Sequence, residues 1–144
     1  MRYRRDVQKE VKRLRGASEE QLRAWDQERA DRRIAWFRGQ PTALQGDPLD
    51  GAYAVLLKKL GISASEAPIV RKDEKEIVFH SRNFCPTLEA CKILGLDTRI
   101  VCKMYNERSP DALVKQVDPR LRFSRSYSEI RPYSPHCEER ISLE

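Results

Sequence analysis

The hydrophobic period of the sequence changes once, just after Gly61, and this change constrains the fold more than any other feature. Before it, residues 48–60 carry leucines and a tyrosine at intervals of three and four, which predicts an amphipathic helix that begins after Asp47 and ends at Gly61. After it, the stretch APIVRKDEKEIVFHSR alternates apolar and polar residues around a charged turn, which predicts two strands. The chain therefore has to combine helices and strands in an α+β fold.

Two helices are predicted ahead of this point. Ser18 and Gln21 form the pattern of a capping box, so a helix is expected over residues 19–37. An apolar residue every three or four positions before it predicts a shorter first helix. We expect residues 1–40 to form a basic helical arm and residues 41–144 to form an α+β domain that contains the cysteines.

Positive charge is concentrated in this arm. Residues 1–38 hold 12 Lys and Arg and 7 Asp and Glu, so they contribute +5 of the net charge of +6. Because the acids are interleaved with the bases, a solvated or docking helix is favoured over a nucleic-acid-binding arm, which is the second interpretation. Trp25, Trp36 and Phe37 are too apolar to be left in water. We therefore expect the arm to bind a protein partner or a second copy of the chain, and to contribute little to the core of the domain.

The second half of the chain is predicted to add three short helices and further strand structure to the hairpin. Thr87, Asp97 and Ser109 each precede a helical pattern as candidate N-caps. The stretch RLRFSRSY alternates as a strand does, and the tail RPYSPHCEERISLE is expected to be irregular before a last short element. The expected architecture is a helical arm followed by a small antiparallel sheet with inserted short helices.

The compartment is predicted from what the sequence lacks. No run of about 18 apolar residues is present, so no membrane span is expected. The N-terminus has no apolar signal region, so a cytoplasmic protein with reduced thiols is expected. In that compartment four cysteines favour a metal, a cluster or a nucleophile over a set of disulfides.

The cysteines differ in their predicted surroundings. Cys91 shares a helix face with two leucines, which predicts packing in the core. Cys85 precedes the start of a helix, where backbone N–H groups and the helix dipole favour a thiolate, so a lowered pKa is expected for its thiol. Cys102 lies in the middle of the next predicted helix, and Cys137 lies in the tail. Both could converge with Cys85.

We therefore expect Cys85, Cys102 and Cys137 to form one site. They would be ligands of a zinc ion or an iron–sulfur cluster, or Cys85 would be a nucleophile. Their spacing matches neither a standard zinc motif nor a ferredoxin motif, so the metal and the thiol interpretations stay open. His136 and Glu138 flank Cys137 and are candidates for ligands or for acid–base groups.

The stretches CPTLEACKILGLDTRIVCK and DPRLRFSRSYSEIRPYSPHC resemble the family of L-2-amino-thiazoline-4-carboxylate hydrolases, over about residues 80–140. The family pattern has a Cys-Pro that opens a helix, a second cysteine, a Pro-x-Leu-x-Phe/Leu-x-Arg strand and a late cysteine. These features correspond to Cys85, Cys102, the strand that ends at Arg125, and Cys137. The resemblance implies hydrolytic opening of a cyclic amidine-like ring that bears a carboxylate. On this interpretation the catalytic candidates are Cys85, His136 and Glu138.

Arginines near the predicted strand are candidates for binding that carboxylate, because a guanidinium group holds a carboxylate in a two-pronged geometry. The candidates are Arg122, Arg125 and Arg131, with Arg120 beside them; the alternative is a solvated edge strand.

Two functions follow. The first is a small hydrolase with a cysteine-centred site for a small carboxylate-bearing substrate. The alternative is a non-catalytic metal-binding or scaffold subunit that docks through its basic arm.

Overall fold

The computed structural model describes residues 2–40 and 46–144. Residues 41–45, where the predicted second domain begins, lie outside the described residues. The described ranges contain six helices and four strands in the order α1 (Arg2–Leu14), α2 (Glu19–Arg38), α3 (Pro48–Leu60), β1 (Ile69–Lys72), β2 (Glu76–Ser81), α4 (Pro86–Leu94), α5 (Thr98–Tyr105), α6 (Arg108–Val117), β3 (Leu121–Arg125) and β4 (Cys137–Leu143). The predicted α+β class is confirmed. Helices come first, and short helices are inserted between the strands of one antiparallel sheet.

The four strands form one antiparallel sheet in the order β1-β2-β4-β3. The C-terminal strand β4 is therefore central, with β2 on one side and β3 on the other. Pairing with β2 and β3 satisfies the backbone hydrogen bonds of β4 along both of its edges. The sequence predicts only a last short element for this segment. The tail is irregular as expected only up to His136, and it then runs through the middle of the sheet.

One face of the sheet packs against helices α3 and α6. Alternate residues of β2, β3 and β4 point to this side, and they include Ile77, Phe79, Phe123 and Ile141, all of which are buried. Helix α3 contributes Leu49, Ala52 and Leu56 to the same core. The residues between them point to the opposite face, which carries polar side chains such as His80, Glu138 and Arg140 and also the buried Val78.

The arm is part of the fold. Helices α1 and α2 place Leu14 and Leu22 in a second buried cluster with Ala90, Cys91 and residues of α5. The three large aromatic side chains of α2 are covered by the chain itself: Trp25 packs on this second cluster, and Trp36 and Phe37 pack on the first. The expectation that residues 1–38 contribute little to the core is therefore wrong, because apolar helix faces are buried wherever the chain offers an apolar partner.

A polar contact also joins the arm to the rest of the chain. Asp26 of α2 is 2% exposed, and its carboxylate accepts hydrogen bonds from the backbone N–H groups of Glu107, Arg108 and Ser109 at 3.2, 2.9 and 3.1 Å. These are the free N–H groups at the start of α6. Ser109, the predicted cap, lies inside the helix. The N–H groups at the start of α6 are satisfied instead by Asp26, which precedes their residues by 81 to 83 positions.

The other predicted helix starts are mostly confirmed. Ser18 and Gln21 form the capping box of α2, and Asp47 and Asp97 accept hydrogen bonds from the first turns of α3 and α5. Thr87 is an exception, because α4 begins one residue before it, at Pro86. No helix in the described ranges is both long enough and apolar enough to cross a membrane.

Candidate functional site

A cavity of about 410 Å³ lies where the arm meets the α4–α5 pair and the sheet. This volume is within the range of small-molecule sites. Five basic and three acidic side chains border it, so its wall carries an excess of positive charge. The basic residues are Lys9, Arg29, Arg33, Arg125 and Arg131, and the acidic ones are Asp6, Glu10 and Glu139.

The structure brings Cys85, Cys102 and Cys137 to the wall of this one cavity. Cys85 stands just before α4, Cys102 lies on α5, and Cys137 begins β4. Cys91 does not border the cavity and is fully buried in the second core, so its predicted packing role is confirmed. All four thiols are free.

The three cysteines share a cavity without forming a compact ligand set. Within the described part of the chain, one group of possible metal ligands has its ligand atoms within 4.8 Å of one another. It consists of His80, Glu129 and His136 and contains no cysteine. A shared zinc ion or iron–sulfur cluster on these three sulfurs stays a prediction of the sequence pattern.

Cys85 does not have the activated thiol that its position predicts. Burial raises the pKa of this thiol above its ordinary value and outweighs the backbone N–H groups of Leu88 and Thr87 and the charge of Arg131, which act in the opposite direction. The helix start is therefore present, but the loss of water around the sulfur has the larger effect. The prediction of a lowered pKa is wrong for this residue.

Cys102 and Cys137 differ in the polarity of their surroundings. Burial raises the pKa of Cys102 to about 12, although the nearby Arg125 opposes the shift, so this thiol is neutral at physiological pH. The sulfur of Cys137, in contrast, accepts a hydrogen bond from Nε of Arg131 at 3.3 Å and contacts the backbone N–H of the same residue at 3.5 Å. A guanidinium donor stabilises negative charge on sulfur. Within the described part of the chain, this charged donor distinguishes Cys137 from the other two cysteines of the cavity.

Arg33 is the most unusual side chain at the cavity. It is 8% exposed, and no residue in the described ranges gives its guanidinium group a hydrogen bond or an ion pair. Burial lowers its pKa to about 10, with repulsion from Arg29 and Arg125 adding to the effect and Asp26 opposing it. The group still carries its charge at neutral pH. Arg33 is therefore a largely buried cation on the wall of the cavity.

The neighbouring arginines are, in contrast, held in place. Arg125 donates to the carbonyl oxygen of Asn106 at 2.9 Å and pairs with Glu139 at 3.1 Å. Burial is the largest single effect and disfavours the charge on Arg125, but Glu139 together with the neighbouring Cys102, Tyr127 and Cys137 raises the pKa of the guanidinium above its ordinary value. Arg131 donates to the carbonyl oxygen of Asn83 at 2.6 Å as well as to Cys137. These contacts fix two guanidinium groups at the cavity wall.

Three of the predicted site residues lie elsewhere. Arg122 is exposed on β3, 3.8 Å from Glu144, because the period of two in the strand sends it to the face opposite Arg125. Glu138 alternates in the same way with Cys137 and Glu139, and it contacts His80 at 3.0 Å. His136 stacks on the His80 ring with centroids 3.6 Å apart. The structure therefore does not bring His136 and Glu138 together with Cys85.

Two arginines of the arm, Arg29 and Arg33, border the cavity, and neither is among the site residues predicted from the sequence. A signal for Arg33 was present in the helical period. The buried positions of α2 are Leu22, Asp26, Ala30 and Arg33, so two charged residues lie on the apolar stripe of the helix. A charge at a core position is rarely tolerated without a partner, and it marks a structural contact or a binding site.

No protein-family model matches this chain, and neither does any curated protein or solved structure.

Proposed function

We propose that this protein is a small hydrolase that binds a carboxylate-bearing molecule in the cysteine cavity and opens a C–N bond of it with a thiol. The observation that supports the proposal most strongly is Arg33, a largely buried arginine at the cavity wall whose guanidinium group has no hydrogen bond or ion pair among the described residues. A buried charge is costly unless it is paired, so a carboxylate in the cavity would supply the missing partner. A guanidinium group can hold the two oxygens of a carboxylate with two parallel N–H donors, so Arg33 has the chemistry that such a ligand needs.

The chemistry follows from the sulfur next to Arg131. In the proposed reaction the Cys137 sulfur bonds to the amidine-like carbon of the substrate, the C–N bond breaks, and the nitrogen takes the proton of the thiol. Water then attacks the same carbon and the bond from this carbon to the Cys137 sulfur breaks. The sulfur takes a proton from the attacking water, which restores the thiol. The net change is the addition of one water to the substrate. Free cysteines at such a site suit the reducing cytoplasm.

The resemblance to L-2-amino-thiazoline-4-carboxylate hydrolases implies the same substrate class. The proposal differs from that expectation in its nucleophile, because Cys85 has a raised pKa and Cys137 has the guanidinium donor. His136 and Glu138 have no role in it, since neither borders the cavity. A docking function for the arm stays a prediction, although its large aromatic side chains already pack against the chain's own cores.

Binding is tested with Arg33→Met and, as a matched control, Arg32→Met, the exposed neighbour on the same helix. The full-length protein is heated with and without 2-amino-thiazoline-4-carboxylate, acetate or inorganic phosphate. The carboxylates should raise the melting temperature of the wild type and of Arg32→Met but not of Arg33→Met. Arg33→Met alone should be as stable as the wild type or more so, because a buried unpaired charge is removed. Stabilisation by phosphate alone, or equal stabilisation of both variants, would contradict carboxylate binding at Arg33.

Catalysis is tested by mass spectrometry of the 2-amino-thiazoline-4-carboxylate reaction, where the product is heavier by one water. Cys137→Ser should abolish turnover and retain carboxylate binding, whereas Cys91→Ala should retain both. If Cys85→Ser is inactive while Cys137→Ser is active, the nucleophile is Cys85. If neither substitution affects turnover, or the wild type shows none, thiol-dependent hydrolysis of this ring is ruled out as the activity of the cavity.

A further inference from the structure

The chain has two histidines, and the fold places them against each other on the face of the sheet opposite the cysteine cavity. His80 is on β2, directly across from Glu138 of β4, and His136 immediately precedes β4. The two rings are parallel within 5°, with centroids 3.6 Å apart. Glu129 reaches the same place from the segment before β4, whose backbone is held to the strand by a hydrogen bond from Glu138 N to Glu129 O of 2.8 Å.

Nitrogen and oxygen ligand atoms converge here. One ligand atom from each of His80, Glu129 and His136 lies within 4.8 Å of the others. Glu138 adds a second carboxylate, 3.0 Å from Nε2 of His80. Glu129, His136 and Glu138 come from one short segment of the sequence, and the pairing of β2 with β4 brings the distant His80 to them.

One nitrogen of this cluster lacks a partner. Nε2 of His136 is buried and has no hydrogen bond within the described residues; the nearest carboxylate oxygen, on Glu129, is 3.9 Å away. A buried polar atom without a partner is uncommon in a folded protein and requires an explanation. An imidazole nitrogen held next to carboxylates can be satisfied by a metal ion, which the ring binds through its lone pair.

We propose that His80, His136 and Glu129, with Glu138 beside them, form a binding site for a zinc ion. Two imidazoles and one carboxylate are a ligand set that zinc takes in proteins, and the second carboxylate balances the charge of the divalent ion. Magnesium and calcium fit less well, because both prefer oxygen ligands throughout. The bound ion would pin the 129–136 segment, which carries Arg131 and so reaches the cysteine cavity, to the central strand.

The stacked rings define what binding has to change. A metal ion lies in the plane of each imidazole that binds it, and two stacked rings, here parallel within 5° with centroids 3.6 Å apart, do not share a plane. One ring therefore has to rotate out of the stack when zinc binds. The chemical shifts of both rings should respond to zinc in an NMR spectrum selective for histidine side chains.

The full-length protein, freed of metal, is titrated with zinc in competition with a coloured chelator. The wild type should bind one zinc ion, and His136→Gln and Glu129→Gln should each weaken binding by at least about 10-fold. Glu129 has a half-exposed side chain, so its variant is expected to fold even if the histidine variant does not. Zinc should also raise the melting temperature of the wild type.

The double variant Cys85→Ser/Cys137→Ser separates this site from the cysteine cavity. It should bind zinc as the wild type does, and the cobalt-loaded wild type should show no intense sulfur-to-metal charge-transfer band. Loss of zinc from the cysteine variant, or the appearance of that band, would place the metal on the cysteines and overturn the proposal. Absence of zinc binding, unchanged affinity in the Glu129 variant, or unchanged histidine spectra would overturn it as well.

Discussion

Asp26→Ala tests whether the arm is an integral part of the fold. The substitution removes the carboxylate that accepts three backbone hydrogen bonds at the start of α6, and this carboxylate is 2% exposed. An exposed N-cap contributes about 1 kcal/mol to stability. Hydrogen bonds to a charged group contribute about 1.5–3 kcal/mol each and are not additive when they share one acceptor, and each N–H left buried adds a penalty. We therefore expect a loss of about 3–5 kcal/mol.

This loss is a large share of the roughly 5–15 kcal/mol by which a domain is usually stable. It is measured by urea unfolding followed by far-UV circular dichroism and by the fluorescence of Trp25 and Trp36, both on α2. Asp31→Ala is the matched control, because Asp31 is exposed on the same helix and, within the described ranges, its one hydrogen bond is accepted from Gln27 at 3.0 Å. A chain without residues 1–40 should unfold or lose its sharp transition. If Asp26→Ala is within about 1 kcal/mol of the control, or if the truncated chain keeps full stability, the arm is not an integral part of the fold.

Three further predictions concern single side chains. Burial raises the pKa of Cys91 to about 12 from an ordinary value of 9.0, so the unfolded chain releases this proton first and stability is lost as pH rises through that window. Cys91→Ala should lower the free energy of unfolding by about 1 kcal/mol at neutral pH. Above pH 9 the free energy of unfolding should fall with pH in both proteins, and the slope should be smaller in the variant by about 1.4 kcal/mol per pH unit. Equal slopes would show that the thiol is not buried as described. Tyr105→Phe removes the hydroxyl that donates to Glu10 at 2.9 Å, and it should cost about 1–2 kcal/mol in urea unfolding; no measurable loss would mean that this contact is not formed. At neutral pH iodoacetamide should modify Cys137 before Cys91 and Cys102, because burial raises the pKa of the latter two thiols to about 12. Peptide mass spectrometry measures the order of modification. The reverse order would contradict the proposal that Cys137 is the reactive cysteine.

The sequence by itself determined most of the local structure. The capping box of Ser18 and Gln21 and the N-cap Asp97 form in the structure as the pattern predicts, and α3 ends at Gly61 in the left-handed conformation. The alternation after Gly61 gives two strands. These features could be predicted because their contacts lie within a few residues of one another, so the sequence pattern contains both partners.

Only the tertiary structure decided which residues border the cavity and which side chains meet at the histidine pair. Arg33 borders the cysteine cavity, the segment after His136 is a central strand, and Asp26 caps a helix more than 80 residues away. Burial in this packed environment raises the pKa of Cys85, against the local effect of the helix start. His80 and His136 meet only because β2 pairs with β4. The energies of these groups depend on solvent exclusion and on partners that are distant in sequence, and a local pattern contains neither.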